Sequence, residues 1–539
     1  MLAHTPRSSQ RRFRGRALPH RFTLITTRLS SRRCAILTAT GPEVVGVSAG
    51  AKHLEETVRI EGHLTAEQVR RNPYFYLPFN VPNNASGIHV SYGYSDPVTA
   101  SFGNGPGNVV DIGIFDSRGY DFPQPAGFRG WSGASRPEFF LAPEDATPGY
   151  IRGNLFPGEW HIMLGVDRVE PEGVRYDVSV TVEQESGAGN QEPGGTPRSA
   201  RPEVSKERVG YSTPKTNGAR WLKGDLHCHT VHSDGLNSVE EIVRNAVELG
   251  LDFLAVTDHN TSTHFEELER LSDLPITLIP GEEVTTYWGH ANMWGLREWI
   301  DFRCADEASI DGVRRFVLQK GGLISVNHPK CVGPPWFFRG WEDYPSMEVW
   351  QAPWRFYNWE SLERWDSLLR KGERVVAVGG SDVHSIPPAE PRHPHGLANP
   401  TTWVYAESSE SSILDAIRAG HVFITDAPND TRLVLSADAD GDRRFESLMG
   451  DTISPLDGRL VRFRVEVNGG MDRRLWLIAD GVPVDIRPLE KVETTHEFSL
   501  DVSGHRYIRA ELRGPRGRPE RGEVIWAMTN PIWIANSER

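Results

Sequence analysis

WLKGDLHCHTVHSDG, residues 221–235, is the stretch on which the fold turns. A short apolar lead-in runs into His227 and His229. Residues two apart on a β-strand point to one face, so both imidazoles can reach a single ion, and Asp234 stands on the turn just beyond. Four further clusters close strand-like apolar runs: TDHN at 257–260, PGEEVT at 280–285, NHP at 327–329 and GSDVH at 380–384. A satisfied core does not account for five such clusters. A hydrolytic metal site needs neutral imidazoles and ionised carboxylates around open coordination positions. The candidates are His227, His229, Asp234, His259, one of Glu282 or Glu283, His290, His328, Asp382 and His384. At roughly three to four protein ligands per ion, that set suits two or three divalent ions. Donors that are all nitrogen and oxygen point to zinc, manganese or iron, and the lack of a thiolate cluster argues against structural zinc or an iron–sulfur centre.

Several of these residues have plainer readings. Asp258–His259 would also cap a following helix, His290 in WGHANMWG would sit among aromatics, and His328 before Pro329 would mark a turn. His232, His264, His393 and His395 are expected at the surface or a pocket rim. Cys228 lies between two candidate ligands and should face away from them as a buried free thiol. Asp225 shares a strand face with both histidines and is expected to orient one of them.

Outward from the clusters, residues 215–427 alternate short apolar strands with amphipathic helices. Ser238 opens SVEEIVRNAVELG with Glu241 as a capping box. Val239, Ile242, Val243, Ala246 and Val247 recur at helical spacing, and Gly250 ends the helix before LDFLAVTDH. The pattern returns in GGLISVNH and ERVVAVGGSDVH, and repeated β-α units imply a parallel sheet or barrel with polar clusters at the C-terminal strand ends. Residues 55–183 and 428–539 read instead as short β-branched and aromatic runs, each a β-sandwich. Residues 184–214, rich in Gly, Pro, Ser and charge, are a linker.

The chain has 539 residues, 38% hydrophobic and 24% charged, enough for several cores. A net charge of −13 speaks against nucleic acid as a partner. Four scattered cysteines do not make a disulfide framework. No stretch is long and apolar enough to cross a membrane. Residues 1–54 read as a disordered tail or a mis-assigned start; Pro42 and Glu43 interrupt the run that an export signal would need, so a cytoplasmic protein is expected.

The order HCH…SDG, TDH, Glu-Val-Thr, NHP and GSDxH resembles the PHP (polymerase and histidinol phosphatase) superfamily, over about residues 215–425. PGEEVTT…GHAN, the stretch MEVWQAPW…NWESLERWD and the flanking β domains resemble, more loosely, the CehA/McbA-type metallohydrolases. The resemblance implies a distorted (β/α)7 barrel with a di- or trinuclear centre. It implies that His227, His229, Glu283 and Asp382 hold one ion, that Glu283 bridges to a second completed by His290 and His328, and that Asp234, His259 and His384 hold a third. Asp234 stands where some relatives carry His. Glu283 is preferred because the family's Glu directly precedes the Val-Thr pair.

The chemistry so implied is attack by a metal-bridging hydroxide, with Asp382, His384 and His328 around it, on a small-molecule ester. A phosphoester is the leading substrate; a carboxylic or carbamate ester, or a non-catalytic glycan- or protein-binding role, are the alternatives. Lys330 and Arg392 are candidates to bind an anionic group, with a surface lysine the default for Lys330. The dense aromatics Trp336, Phe337, Phe338, Trp341, Trp350 and Trp354 either pack a loop or line an aryl pocket.

Overall fold

The two ends of the chain alternate buried and exposed side chains, and each builds sheets with one apolar face. The computed structural model describes residues 54–98, 105–185, 218–387, 395–428, 431–454, 460–515 and 523–535. The expected tail up to residue 53, most of the linker, Arg392 and His393 lie outside the described residues.

The N-terminal strands are β1 (Leu54–Leu64), β2 (Tyr74–Val81), β3 (Ala85–Tyr94), β4 (Val109–Phe115), β5 (Phe128–Gly133), β6 (Glu138–Leu141), β7 (Gly158–Arg168) and β8 (Val174–Gln184), with α1 (Ala66–Arg71) after β1. They form two four-stranded antiparallel sheets, β1-β8-β3-β6 and β2-β7-β4-β5. In β8, Val174, Tyr176, Val178, Val180 and Val182 turn inward at period two against Ile112, Ile114, Trp160 and Ile162 from the facing sheet.

The central segment runs β9 (Arg220–Asp225), α2 (Val239–Glu248), β10 (Phe253–Val256), α3 (Phe265–Arg270), β11 (Thr277–Thr286), β12 (Gly289–Trp294), α4 (Glu307–Gln319), β13 (Leu323–Val326), β14 (Ser346–Gln351), α5 (Asn358–Lys371), β15 (Val376–Gly380), β16 (Thr401–Ala406), α6 (Glu410–Ala419) and β17 (Val422–Thr425). It is mixed α/β and rich in sheet. Ser238 and Glu241 close both bonds of the capping box on α2. Strands β9, β10 and β11 are parallel, as are β13, β14 and β15. The uniform β-α repeat expected from the sequence breaks at β11–β12, which are joined by a tight turn rather than a helix, and β12 runs antiparallel to both neighbours. Glu283 and His290 therefore lie within a hairpin, not beyond a strand end. The ends of the run meet at one rim: the Asp382 amide donates to His227 O (2.8 Å) and the His229 amide to Val383 O (3.0 Å), and Cys228 bridges Val383 in parallel.

The C-terminal strands are β18 (Arg432–Asp438), β19 (Ser447–Leu448), β20 (Thr452–Ile453), β21 (Leu460–Asn468), β22 (Arg474–Ala479), β23 (Val482–Pro488), β24 (Glu493–Asp501), β25 (Tyr507–Pro515), β26 (Glu523–Thr529) and β27 (Ile532–Ile534). Sheet β19-β18-β21-β24 packs on a second layer that is not separate from the centre. Strand β26 pairs with β17, so one sheet runs from β15 through to β23. The cores merge accordingly: Trp403 and Phe423 pack with Phe463 and Leu512, and Trp350 and Trp365 with Tyr507 and Trp533. At the other end Tyr74, Phe115, Phe128 and Trp131 share a core with Val284, Met293 and Phe302.

Candidate metal centre

Each cluster seen in the sequence arrives at the same rim. His227 and His229 follow β9 with their Nε2 atoms 3.1 Å apart. Asp382 Oδ1 is 2.9 Å from His229 Nε2 and 3.3 Å from His227 Nε2, and Glu283 Oε2 is 3.3 Å from His227 Nε2. One donor atom from each of these four residues lies within 4.8 Å of the others. A second group joins His259, Glu283 and His290; His328 Nε2 lies beside it, 3.2 Å from Glu283 Oε1. A third joins His229, Asp234, His259 and His384. Asp234 Oδ1 is 3.3 Å from His384 Nε2 and 3.6 Å from His259 Nε2.

Glu283 is the hub. Strand alternation turns its neighbour Glu282 the other way, where Glu282 Oε2 accepts from the Ile300 amide (3.0 Å) and burial pushes its pKa well up. Glu283 Oε2 is buried and accepts no hydrogen bond, although nitrogens of His227, His229 and His259 stand 2.8–3.5 Å away. An orphan carboxylate oxygen buried among three imidazoles is costly unless a cation sits with it, so this crowding fits a metal-ligand set. The donors, imidazole and carboxylate throughout, fit divalent zinc, manganese or iron. Two ligands carry backbone strain: Asp382 (φ 52°) and His328 (φ 29°) sit in the left-handed region that non-glycine residues avoid.

The residues that orient this set were not foreseen. Glu348, alone among the apolar residues of β14, is 2% exposed. Its Oε1 accepts from His227 Nδ1 (2.9 Å) and its Oε2 from the His328 amide (3.0 Å). Asn327 Nδ2 donates to Glu283 Oε1 (2.8 Å), Thr285 Oγ1 meets His259 Nδ1 (2.5 Å), and Gln351 Nε2 donates to Asp382 Oδ2 (2.7 Å). Asp225 does not orient an imidazole. Its carboxylate takes the amides of His227 (3.2 Å), Ser381 (3.0 Å) and Ala398 (2.7 Å), tying the two ends of the strand run together.

His232 and His264, expected at the surface, are buried because each ring finds protein partners: His232 meets Thr263 (2.7 Å) and Glu267 (3.0 Å), and His264 Nε2 meets the carbonyls of Val256 and Gly281. His395, half-buried, bonds Ser381 O (2.6 Å). Cys228 is a buried free thiol. Lys330 is buried rather than at the surface. Its ammonium donates to Gln351 O (3.0 Å) and Asn358 Oδ1 (2.8 Å), and burial pulls its pKa down to about 7 against the pull of Glu348 and Asp382. A half-neutral amine already engaged by two protein oxygens is a poor anion receptor. The aromatic segment splits between two cores. Trp336 and Phe338 pack with Tyr344, Trp350 and Trp354 pack with Trp365, and only Phe337 among them is widely exposed (65%).

The carboxylates raise the proton affinity of several of these imidazoles. Burial disfavours the charged imidazole of His384, but Asp234 and Asp382 outweigh it and push the pKa up to about 10. His229 goes the other way: burial, then His384 and His259, take it down to about 4.

Comparison with known proteins finds similarity over part of the chain. A 68-residue stretch is 47% identical to the 5'-3' exoribonuclease Rnm of Salmonella typhimurium, covering 12% of this chain and 23% of that one. A 64-residue stretch is 33% identical to a phosphoribosyl 1,2-cyclic phosphate 1,2-diphosphodiesterase of Eggerthella lenta, 12% of this chain and 24% of that one. The chain thus matches about a quarter of the length of these curated relatives. Among solved structures, a two-domain protein of Bacteroides vulgatus containing a predicted PHP-like metal-dependent phosphoesterase aligns over 57% of this chain and 95% of its own, at 18% identity and a TM-score of 0.33. Residues 225–306, which hold His227, His229, Asp234, His259, Glu283 and His290, match the PHP domain family.

Proposed function

We propose that this protein is a metal-dependent phosphoesterase acting on a small-molecule phosphate mono- or diester. The observation that carries the reading is the convergence of three donor groups on one rim, two of them sharing the Glu283 carboxylate. The PHP match and the printed names of the relatives, a ribonuclease and a phosphodiesterase, support a metal-dependent hydrolase and favour phosphorus over carbon as the centre attacked. We read the strand run β9 to β15, drawn together at the rim, as a distorted seven-stranded barrel.

Two or three divalent ions held there would supply Lewis acidity and a water whose pKa falls from ~16 toward ~7. His227, His229, Glu283 and Asp382 would hold the first; Glu283, His290 and His328, with His259 alongside, the second; Asp234, His259 and His384 the third. Glu348 fixes the His227 tautomer that leaves Nε2 free to ligate.

The CehA/McbA-type reading, a carboxylic or carbamate ester hydrolase suggested by the subgroup resemblance, was further favoured by the dense aromatic segment read as an aryl pocket. Five of the six aromatics that suggested it are packed into the protein, which weakens it. The test is a metal-supplemented panel with a chelated control: p-nitrophenyl phosphate and bis-p-nitrophenyl phosphate against 1-naphthyl acetate and 1-naphthyl methylcarbamate. Chelator-sensitive turnover of the phosphates is expected. Turnover of the naphthyl esters alone would overturn the proposal in favour of carbonyl chemistry.

A further inference from the structure

Of the candidate ligands, Asp234 is the outlier. Its side chain is 44% exposed, against 20% for His259, 19% for Asp382 and 16% for His384. It sits on a turn, residues 231–234, not on a strand. A ligand on an exposed turn must be ordered at an entropic cost unless the turn is already fixed. Part of the fixing is local: Asp258 accepts from the Thr230 amide (2.7 Å) and from Ser233 Oγ (2.6 Å).

The rest comes from the N-terminal β domain. Arg136, in the loop between β5 and β6, donates through Nη2 to Val231 O (2.8 Å) and Ser233 O (3.1 Å), and Ser135 Oγ reaches Ser233 O (3.3 Å). These carbonyls bracket His232 and immediately precede Asp234. Gly149 brings its backbone close enough that a Cβ there would stand 2.5 Å from His232 O, and its amide donates to Thr263 Oγ1 (3.2 Å). The same domain grips a second ligand-bearing segment. At the tip of the β11–β12 hairpin, between Glu283 and His290, Tyr287 donates to Asp111 Oδ2 (2.9 Å) and stacks on Tyr74 (5.5 Å between centroids). Gly165 leaves the room: a Cβ there would lie 2.1 Å from the Tyr287 oxygen.

We infer that the N-terminal β domain is a working part of the metal centre, with Arg136 the positioning residue that holds the Asp234 turn and Tyr287 the one that holds the Glu283–His290 hairpin. His227, His229 and Asp382 are oriented from the other side, by Glu348, Gln351 and the rim pairing. The two grips therefore serve different donor groups, and their loss must show as different losses of metal.

The inference rests on the metal-centre reading above. Its test is zinc uptake by the chelator-stripped full-length protein, titrated against a chromophoric chelator, for wild type, Arg136→Met, Arg136→Lys and Tyr287→Phe. Methionine keeps the aliphatic stem and removes the fork. Arg136→Met is expected to weaken one zinc-binding step about 10- to 100-fold, the range typical when an orienting partner is lost, and to leave the other steps within about twofold. Arg136→Lys, which restores one donor, should recover part of that loss, and Tyr287→Phe should weaken a different step. Wild-type steps throughout in Arg136→Met would overturn the inference, as would an equal fall in every step together with a lower melting temperature of the metal-free protein, the mark of a merely structural contact. A wild type that takes up no zinc would overturn the metal-centre reading itself.

Discussion

Glu348→Gln replaces a buried carboxylate with an isosteric amide at the point where two ligands are oriented at once. In the native arrangement both oxygens face N–H groups: Oε1 the imidazole Nδ1 of His227 (2.9 Å) and Oε2 the backbone amide of His328 (3.0 Å). The amide has one oxygen for two donors. Turned one way, its NH2 group meets the His328 N–H and leaves a buried donor unpaired, a cost of about 1–3 kcal/mol; turned the other way, it meets His227 Nδ1 and is satisfied only by moving the imidazole proton to Nε2, the atom that must be free to ligate. An orienting partner of a metal-bound histidine is worth about 10- to 100-fold in metal affinity, equivalent to ~1.4–2.7 kcal/mol, so the two lines of reasoning agree without being added. The assay is zinc competition with a chromophoric chelator at pH 8, backed by the metal content of the dialysed protein and its hydrolysis rate. The expected result is a 10- to 100-fold weaker step with a matching fall in turnover at limiting zinc. A variant within twofold of wild type in both would refute the idea that His227 depends on Glu348 for its tautomer and aim.

Three more expectations follow from the same geometry. Glu283→Gln should strip the protein of at least one ion and of activity, whereas Glu282→Gln, one residue away but facing Ile300 with its pKa already raised, should keep wild-type metal content; equal losses in the two would contradict the strand alternation. Gly165→Ala should drive a methyl into Tyr287 and Trp131, costing about 1–3 kcal/mol of stability, read as a lower melting temperature. Two buried histidines should bring opposite pH dependences to the stability of the chelator-stripped protein. His384, with its folded pKa up at about 10, contributes stability that is lost as pH rises from 6.5 to 10. His229, taken down to about 4, must stay neutral when buried, so stability also falls as pH drops from 6.5 through 4. Melting temperatures of the chelator-stripped wild type and His384→Gln at pH 6.5 and 9.5 test the first: the wild type's advantage should shrink as pH rises, and an advantage that grows would contradict the His384 assignment.

The His, Asp and Glu clusters that converge at the rim were legible because their chemistry is rare in a core: imidazoles and carboxylates at the ends of apolar runs have few other uses. The capped helix α2 was legible for a similar reason, since Ser238 and Glu241 bond within one turn and need no distant partner. The β11–β12 hairpin was not. Its turn, Tyr287–Trp288, lacks the Asn-Gly or Asp-Gly pair that marks a two-residue loop, because Tyr287 is used to reach the N-terminal domain rather than to ease the turn. Glu348 did leave a signal, as a single charge inside Met347–Trp350, a strand buried on both faces. A carboxylate there must have a partner, but the partner is His227, 121 residues earlier, and only the folded chain names it. The burial of His232 was hidden in the same way, by Glu267 and Thr263 on another element.

The hub at Glu283 ties the donor groups to one another. Its Oε1 faces His290, His328 and the Asn327 amide, while its Oε2 faces His227, His229 and His259. His229 and His259 in turn each belong to two of the three groups. Charge that enters one group therefore changes the proton affinity and the aim of the next. The imidazoles that the carboxylates keep protonated must give up those protons before they can ligate. Strain at Asp382 and His328 fits the same logic, since left-handed residues persist only where their surroundings over-determine them. At Asp382 those surroundings are the His227 carbonyl, which holds its amide, and Gln351, which holds its second oxygen; at His328 they are Glu348, which holds its amide. In a rim built this way the sheet, the orienting carboxylate and the N-terminal domain hold the donors converged, a crowding of carboxylates and imidazoles that a divalent ion would relieve.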